Sequence, residues 1–321
     1  MVAYMKKYSK LYHTIDCHTH CGIDYSNLYL CRYPTTQSVT TLAEQMQSNQ
    51  IGYAITFPCP NTIYYHTEKY WKDGQFVYSG QSDFPFQWEN RYLQAEIEHF
   101  GYDHILPFAA VSLRRNLSSQ LAYLEELVET KPLYGIKLHT LADNSDILEL
   151  SHHEKFLKFL KKYDLPIMCH TGTDPYSLPM KIVEFARHFP EIRICAAHMA
   201  KFDIDAFEAL STEPLENLFV DTSPLNSLCQ RYKMDSQFIL AMGLTGNCML
   251  EDSIALIRRF QQHILWGTDN PWVYVSKLTQ NRCETRTTYQ DEVQFLRSLA
   301  SDLQETISIQ NPNRFLFGSI R

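Results

Sequence analysis

The chain has 321 residues and a formal net charge of −7, with 45% hydrophobic and 20% charged residues. This acidic balance argues against a protein that holds nucleic acid or an anionic membrane by bulk charge. The composition also excludes a mainly disordered chain, because 13% of the residues are aromatic and can build a large core.

Neither a membrane span nor a secretion signal is predicted. The sequence lacks an apolar run of about 18 residues, and residues 1–13 lack the apolar centre of a signal peptide. The nine cysteines include no Cys-x-x-Cys pair, a usage typical of buried thiols in a reducing compartment. We therefore expect a cytoplasmic protein with a small-molecule partner and neither nucleic acid nor membrane as a ligand.

Eight short apolar runs alternate with segments of helical periodicity. This alternation is typical of parallel strands joined by crossover helices, and runs that are apolar throughout indicate a sheet covered on both faces. The predicted strands are residues 14–18, 52–57, 105–112, 134–139, 166–170, 192–198, 218–221 and 263–267.

Two helix starts carry local signals. Ser151 followed three residues later by Glu154 predicts a capping box at the start of one helix. Asn311 and Pro312 predict the N-cap and first residue of a helix near the end of the chain.

No internal repeat or Gly/Ser-rich linker marks a second domain, so we interpret residues 1–321 as one domain of alternating strands and helices. Its fold class is α/β, either a closed (β/α)8 TIM barrel or an open doubly wound sheet. A TIM barrel typically has about 250 residues, and the additional length of this chain falls in loops. The longest of them, residues 58–92 after the second strand, holds ten aromatic residues. We expect this aromatic-rich insertion to form a lid or an interface in a homodimer.

His18 and His20 end the first predicted strand. Residues two apart on a strand point to the same side, so both imidazoles can face one metal ion. A His-x-His pattern alone is a weak signal, because it is more often incidental than a metal site.

Further polar groups end other apolar strands. Lys137 and His139 end the fourth strand, His170 the fifth and His198 the sixth, while Asp269 follows the eighth. In a closed barrel these ends converge on the face that carries catalytic residues, so their placement favours the TIM barrel. Unpaired polar groups there would be costly to bury, which predicts a metal ion or a hydrogen-bond network. The alternative is that each is an individually hydrogen-bonded residue of the core.

These motifs, in this order, resemble those of the amidohydrolase superfamily. The similarity is strongest to the amidohydrolase-related subgroup, which includes metal-dependent TIM-barrel hydrolases and aminocarboxymuconate semialdehyde decarboxylase. Besides the strand-end histidines, the matching segments are DCHTH at residues 16–20, VDTS at 220–223, GTDNP at 267–271 and NPNRFLFG at 311–318.

The resemblance implies a (β/α)8 barrel enzyme with one divalent ion, for which Zn²⁺ suits the donor set best. Bound there, the ion would activate a water molecule, whose proton Asp269 would take and pass to the leaving group. The implied ligands are His18, His20, His170 and Asp269.

The role of His198 depends on the number of ions. With one ion, His198 would polarise the substrate carbonyl or stabilise the oxyanion. The segment around Lys137 is similar to the fourth-strand motif of dinuclear members, in which that lysine is carboxylated. With a second ion, His198 would become its ligand and Lys137 the bridge; otherwise Lys137 is a buried cation. We favour one ion.

Substrate contacts are expected from four residues. Lys137 and His139 end the fourth strand, Arg114 follows the third and suits a carboxylate, and Trp71 lies in the insertion. The leading hypothesis is a metal-dependent hydrolase of an amide, lactone or related carbonyl bond in a small organic molecule. The alternative is a non-oxidative decarboxylase of an aromatic or unsaturated carboxylic acid, and a ligand-binding barrel without turnover is a third reading.

Overall fold

The computed structural model describes most of the chain. Only the backbone is described for the two strands of the insertion, so the side chain of Trp71, a predicted substrate contact, lies outside the described part together with residues 60–67, 73–74 and 80–85. The described residues are 6–24, 27–28, 34–59, 68–72, 75–79, 86–231, 233–273, 277–279, 282–284 and 287–318.

All eight predicted strands are present and form one parallel sheet, to which β2 adds an antiparallel edge pair. The order across the sheet is β11-β10-β9-β8-β7-β6-β3-β1-β2. The strands are β1 (Ile15–Ile23), β2 (Thr36–Gln37), β3 (Tyr53–Pro58), β6 (Ile105–Val111), β7 (Gly135–Leu138), β8 (Ile167–Cys169), β9 (Ile194–Ala196), β10 (Leu218–Asp221) and β11 (Ile264–Leu265). Two separate antiparallel pairs are β4 (Glu68–Lys72) with β5 (Gln75–Ser79) and β12 (Lys277–Thr279) with β13 (Arg282–Glu284).

The sheet closes between its first strand and the segment that follows its last. The Cys17 N–H donates to the Trp266 carbonyl at 3.0 Å, and Thr19 forms a parallel bridge with Asn270. Gly267 permits this close approach, because a Cβ there would lie 2.8 Å from the Cβ of His18. This closure confirms the (β/α)8 barrel.

Helices follow the strands and pack their apolar faces on the sheet. In the helix Glu154–Lys162, for example, Phe156 and Leu160 are buried while the lysines face outward. No helix in the described ranges is long and apolar enough to cross a membrane. The α-helices span Val39–Ser48, Gln87–Phe100, Leu117–Thr130, Thr140–Asp143, Glu154–Lys162, Pro179–His188, Ile204–Thr212, Leu225–Arg231, Ser236–Met242, Met249–Arg259, Tyr289–Ser298, Ser301–Glu305 and Asn311–Phe317, and the tighter or wider turns span Ile147–His152, His198–Phe202 and Thr306–Gln310.

The inside of the barrel is filled by its own apolar cluster. The Phe315 ring from the last helix packs against Phe219 and Phe108, with ring centroids 5.4 and 6.2 Å apart. Leu11 and Leu316 belong to the same buried cluster. The chain therefore seals the barrel with both of its terminal segments at one end, and the polar strand ends lie at the other.

Both predicted helix starts are wrong. The capping box is formed by Asp146 and Glu149, five residues earlier than predicted, and the Ser151 hydroxyl instead donates to the Leu148 carbonyl. The helical turns from 301 to 317 are continuous, so Asn311 is not an N-cap. Its amide donates to the carbonyls of Gln261 and Ile264 at 2.6 and 2.7 Å, which fastens the last helix to β11.

Candidate metal centre

The two histidines of β1 lie side by side under the open end of the barrel. Their Nε2 atoms are 3.3 Å apart, and the side chains of His18 and His20 are almost fully buried. The ring of Phe57 from β3 packs edge-on against both, with centroids 5.0 and 5.2 Å away. The alternation of the strand thus brings both imidazoles to one side, as the spacing predicts.

Each of these imidazoles is anchored through its other nitrogen. The Nδ1 of His18 lies 2.7 Å from Oδ2 of Asp221, and the Nδ1 of His20 lies 3.3 Å from the Pro58 carbonyl. Because both partners are oxygen acceptors, we assign the ring proton to Nδ1 in each case. Both Nε2 atoms then present a lone pair to the space between the rings.

Asp269 completes this group from the segment after β11. Its Oδ1 lies 3.4 Å from each of the two Nε2 atoms and has no hydrogen-bond partner within the described part of the chain. We call His18, His20 and Asp269 the donor cluster; their ligand atoms all lie within 4.8 Å of one another. Three buried electron-pair donors that face each other fit a divalent cation, which would pair with all three at once.

The protonation states of the donor cluster also suit a metal. Burial lowers the pKa of His18 well below its ordinary value and also lowers that of His20, so both rings are neutral near pH 7. Burial raises the pKa of Asp269, but the neighbouring imidazoles of His20, His198 and His18 outweigh this effect and leave that pKa below the ordinary value. Neutral imidazoles and an ionised carboxylate are the forms that bind metal.

Asp16 links the strand that carries His18 and His20 to the segment that carries Asp269. Its Oδ2 accepts the Thr268 hydroxyl at 2.8 Å, while its Oδ1 accepts the backbone N–H groups of Thr268 and His18 at 3.0 and 3.2 Å. Burial raises the pKa of Asp16 to about 7. The carboxyl thereby ties the strand of the histidines to the residue that precedes Asp269.

Lys137 reaches the donor cluster from β7. Its Nζ lies 3.1 Å from the Nε2 of His18 and 4.5 Å from the centre of the Phe57 ring, and the side chain is buried. Burial lowers the pKa of this lysine, while the carboxylates of Asp221 and Asp269 oppose the shift. A role as bridge or as buried cation stays a prediction.

The other three histidines predicted for the site, His139, His170 and His198, form a second group, which we call the imidazole row. His139 stacks on His170 with centroids 4.1 Å apart and an interplanar angle of 11°, and Nδ1 of His170 lies 3.0 Å from Nε2 of His198. His139 and His170 are half-buried, whereas His198 is buried. The pKa values of all three are lowered by burial, that of His198 to about 4.

The hydrogen bonds of the imidazole row assign a different chemistry to each ring. The His198 Nδ1–H donates to the Ser223 carbonyl at 2.6 Å. Its Nε2 therefore accepts a hydrogen bond from Nδ1–H of His170. His170 therefore keeps a lone pair on Nε2, although it lies outside the 4.8 Å group among the described residues. His139 accepts the Ala142 N–H at Nδ1, which leaves an N–H donor at Nε2.

His198 begins a left-handed turn. The five residues His198–Phe202 have φ between 44° and 59°, and none is glycine. Such a conformation costs about 1–2 kcal/mol per residue for L-amino acids. Strain of this kind persists where the surroundings dictate it, often at functional sites.

Comparison with known proteins identifies the family of the chain. The amidohydrolase family model matches residues 73–318, well over half of the chain. The chain belongs to the amidohydrolase family. No curated protein matches it.

Solved structures share the fold of this amidohydrolase at low sequence identity. A probable 2-pyrone-4,6-dicarboxylic acid hydrolase from Acinetobacter baumannii has a TM-score of 0.59 at 16% identity, covering 96% of this chain and 100% of that one. The 4-oxalomesaconate hydratase from Rhodopseudomonas palustris gives 0.56 at 14% identity, covering 94% and 95%. The Metarhizium anisopliae IDCase gives 0.51 at 13% identity, covering 95% and 97%.

One predicted substrate contact of the amidohydrolase, Arg114, is joined to the short helix that follows His139. Arg114 is exposed after β6, and its backbone N–H donates to Asp143 at 3.3 Å. Its contact with substrate stays a prediction, as does that of Trp71.

Three residues of the amidohydrolase site were missed by sequence reasoning. Phe57 supports the histidines, Asp221 anchors His18, and the Trp272 ring lies 5.9 Å from that of His20. Trp272 follows Asp269 closely in the chain, and Asp221 is a charged residue ending an apolar strand. Both signals were in the sequence, but only the fold shows what these side chains touch.

Proposed function

We propose that this amidohydrolase is a metal-dependent hydrolase that cleaves an amide, lactone or related carbonyl bond of a small organic molecule. The observation that carries the proposal is the donor cluster, in which two pinned imidazoles and a carboxylate oxygen without a hydrogen-bond partner among the described residues face one point. When bound, a divalent cation such as Zn²⁺ acidifies water to a pKa of about 7 and polarises a carbonyl.

In this proposal His18, His20 and Asp269 hold one Zn²⁺, and His170 completes the set through Nε2. His170 has the same tautomer as the two cluster histidines, which supports that assignment. Lys137 is then a buried cation beside His18 and need not be carboxylated.

Proton transfer falls to Asp269 and His198. Asp269 is ionised, so while its Oδ1 faces the ion its other carboxylate oxygen can accept the proton of the attacking water. His198 is neutral near pH 7, and its Nε2, which accepts the hydrogen bond of His170, carries the lone pair through which it can take up a proton. His139 offers the Nε2–H as a donor to a substrate oxygen.

A second candidate is the non-oxidative decarboxylation of an aromatic or unsaturated carboxylic acid. It is favoured by the aromatic lining of the site, where Phe57 and Trp272 flank His20. Flat π-systems pack well on such surfaces. The same residues would hold the ion in both cases, so the two reactions are distinguished by their products.

The first experiment measures metal content and products. Purified protein is analysed for metal per chain, and the Zn²⁺-loaded form is incubated with a panel of lactones, amides and unsaturated carboxylic acids. Hydrolysis products without carbon dioxide support the leading proposal, whereas release of carbon dioxide selects decarboxylation. A protein that binds no divalent metal would overturn both.

The Asp269→Asn variant tests the proton-transfer role. Loss of the carboxylate should lower kcat on any panel substrate by about 10²–10⁴-fold, the usual contribution of a general base. The matched control is Asp252→Asn, because Asp252 is also buried but its carboxylate accepts hydrogen bonds from Thr245 and Gly246 in a remote loop. An Asp269→Asn enzyme that is as active as this control would contradict the assignment.

A further inference from the structure

Asp221 is a buried carboxylate behind the site, and its contacts extend beyond the anchoring of His18. It ends β10, its side chain is completely buried, and it lies on the far side of the His18 ring from the donor cluster. Buried carboxylates are costly unless hydrogen bonds satisfy them, so its contacts indicate why it is there.

One oxygen of Asp221 serves the donor cluster. Oδ2 lies 2.7 Å from Nδ1 of His18, which is the length of a charge-assisted hydrogen bond. The corresponding bond of His20 runs to the neutral Pro58 carbonyl and is longer, at 3.3 Å. His18 is therefore the more firmly oriented of the two histidines of β1.

The other oxygen serves the imidazole row. Oδ1 accepts the backbone N–H of His198 at 2.9 Å, and the N–H and hydroxyl of Ser223 at 3.0 and 2.6 Å. The carbonyl of the same Ser223 accepts Nδ1–H of His198. Oδ1 thus fixes both the backbone of His198, which is the first residue of the left-handed turn, and Ser223, whose carbonyl binds the His198 ring.

We propose that Asp221 is a positioning residue that orients His18 through Oδ2 and His198 through Oδ1, so that one carboxylate sets the geometry of both groups of histidines. The proposal rests on the proposed function, in which His18 binds the ion and His198 handles protons. Asp221 acts on the site through these two residues.

The first test compares Zn²⁺ binding by Asp221→Asn, Asp252→Asn and the unaltered protein, using competition with a chromogenic chelator. Partners that orient metal-binding histidines are worth about 10–100-fold in metal affinity. We expect that loss for Asp221→Asn and a change within about threefold for Asp252→Asn, which removes an equally buried carboxylate elsewhere. Equal affinities of the two variants would overturn the proposal.

The second test needs neither metal nor a variant of Asp221. In the metal-free protein labelled with ¹⁵N-histidine, long-range ¹H–¹⁵N correlation spectra report which ring nitrogen carries the proton. We expect His18 and His198 as neutral Nδ1–H tautomers, assigned by comparison with His18→Gln and His198→Gln. An Nε2–H or exchanging tautomer at His18 would overturn the proposal.

The two tests also separate this inference from the proposed function. Failure of the unaltered protein to bind Zn²⁺ overturns the metal assignment, and the tautomers then decide the positioning role alone. Normal Zn²⁺ binding with no effect of Asp221→Asn overturns the positioning role and leaves the metal assignment in place.

Discussion

The donor cluster and the imidazole row both lie at the open end of the barrel, but their hydrogen bonds differ. In the donor cluster each histidine donates Nδ1–H away from the site, so the lone pairs converge on a carboxylate. In the imidazole row His170 bonds to its neighbour His198, and His139 presents an N–H. The donor cluster is thus arranged for cation binding, whereas the imidazole row joins one further proposed ligand, His170, to two rings proposed for proton transfer and substrate binding.

Zn²⁺ affinity gives the sharpest test of this difference. His20→Ala removes a proposed ligand and should weaken Zn²⁺ binding by more than about 100-fold, beyond the effect of losing an outer partner. His139→Ala removes an equally aromatic neighbour that offers only an N–H, so its affinity should stay within about threefold of that of the unaltered protein. Chelator competition measures both, and similar losses for the two variants would show that the groups are not distinct.

The pH dependence of stability tests the support behind the imidazole row. Glu292 accepts the Asn226 N–H at 3.0 Å, three residues beyond the Ser223 carbonyl that anchors His198, and burial raises the pKa of Glu292 to about 8. Between its ordinary pKa of 4.5 and about 8, the folded state therefore binds more protons than the unfolded state. The contribution of Glu292 to stability therefore falls as pH rises through this window, by up to about 1.4 kcal/mol per pH unit.

Glu292→Gln removes this contribution. Urea unfolding between about pH 5 and pH 8 should show the variant gaining stability relative to the unaltered protein as the pH rises. Parallel curves would mean that Glu292 does not keep its proton in the folded protein.

The smallest expected effect concerns the strain at His198. Ala200 and Ala209 are both buried, but Ala200 lies in the left-handed turn with φ 44° while Ala209 lies in a regular helix. Replacing either alanine by glycine removes the same methyl group. At position 200 glycine also removes the cost of the left-handed conformation, which stabilises the folded protein by about 1–2 kcal/mol. Ala200→Gly should therefore be more stable than Ala209→Gly in urea unfolding, and the reverse order would contradict the strain.

The sequence predicts the fold and the face of the site well, because polar residues such as His170 stand out at the ends of apolar strands. It does not predict the left-handed turn, since His-Met-Ala-Lys-Phe contains no glycine and the contacts of His198 to Asp221 and Ser223 arise only in the folded protein. The predicted cap at Ser151 is absent because Asp146 and Glu149 begin an earlier helical turn, Ile147–His152, which already includes Ser151.

The division of the histidines into two groups was also beyond the sequence. His139 differs from His20 only in what its Nδ1 meets, a backbone N–H in one case and a carbonyl in the other. That partner is chosen by the backbone of a neighbouring turn or strand. Tautomers therefore follow from tertiary structure and cannot be deduced from residue type or spacing.

The closure of the barrel has a consequence for how the protein is made. His18 and His20 lie on the first strand, whereas Asp269 follows the last, and these segments meet through the Asp269 N–H bond to the His18 carbonyl. A nascent chain emerging from the ribosome thus carries two of the donors long before it carries the third. The complete donor cluster can form only after nearly the whole polypeptide has been synthesised, so capture of the proposed ion would be a late step that only a finished barrel can complete.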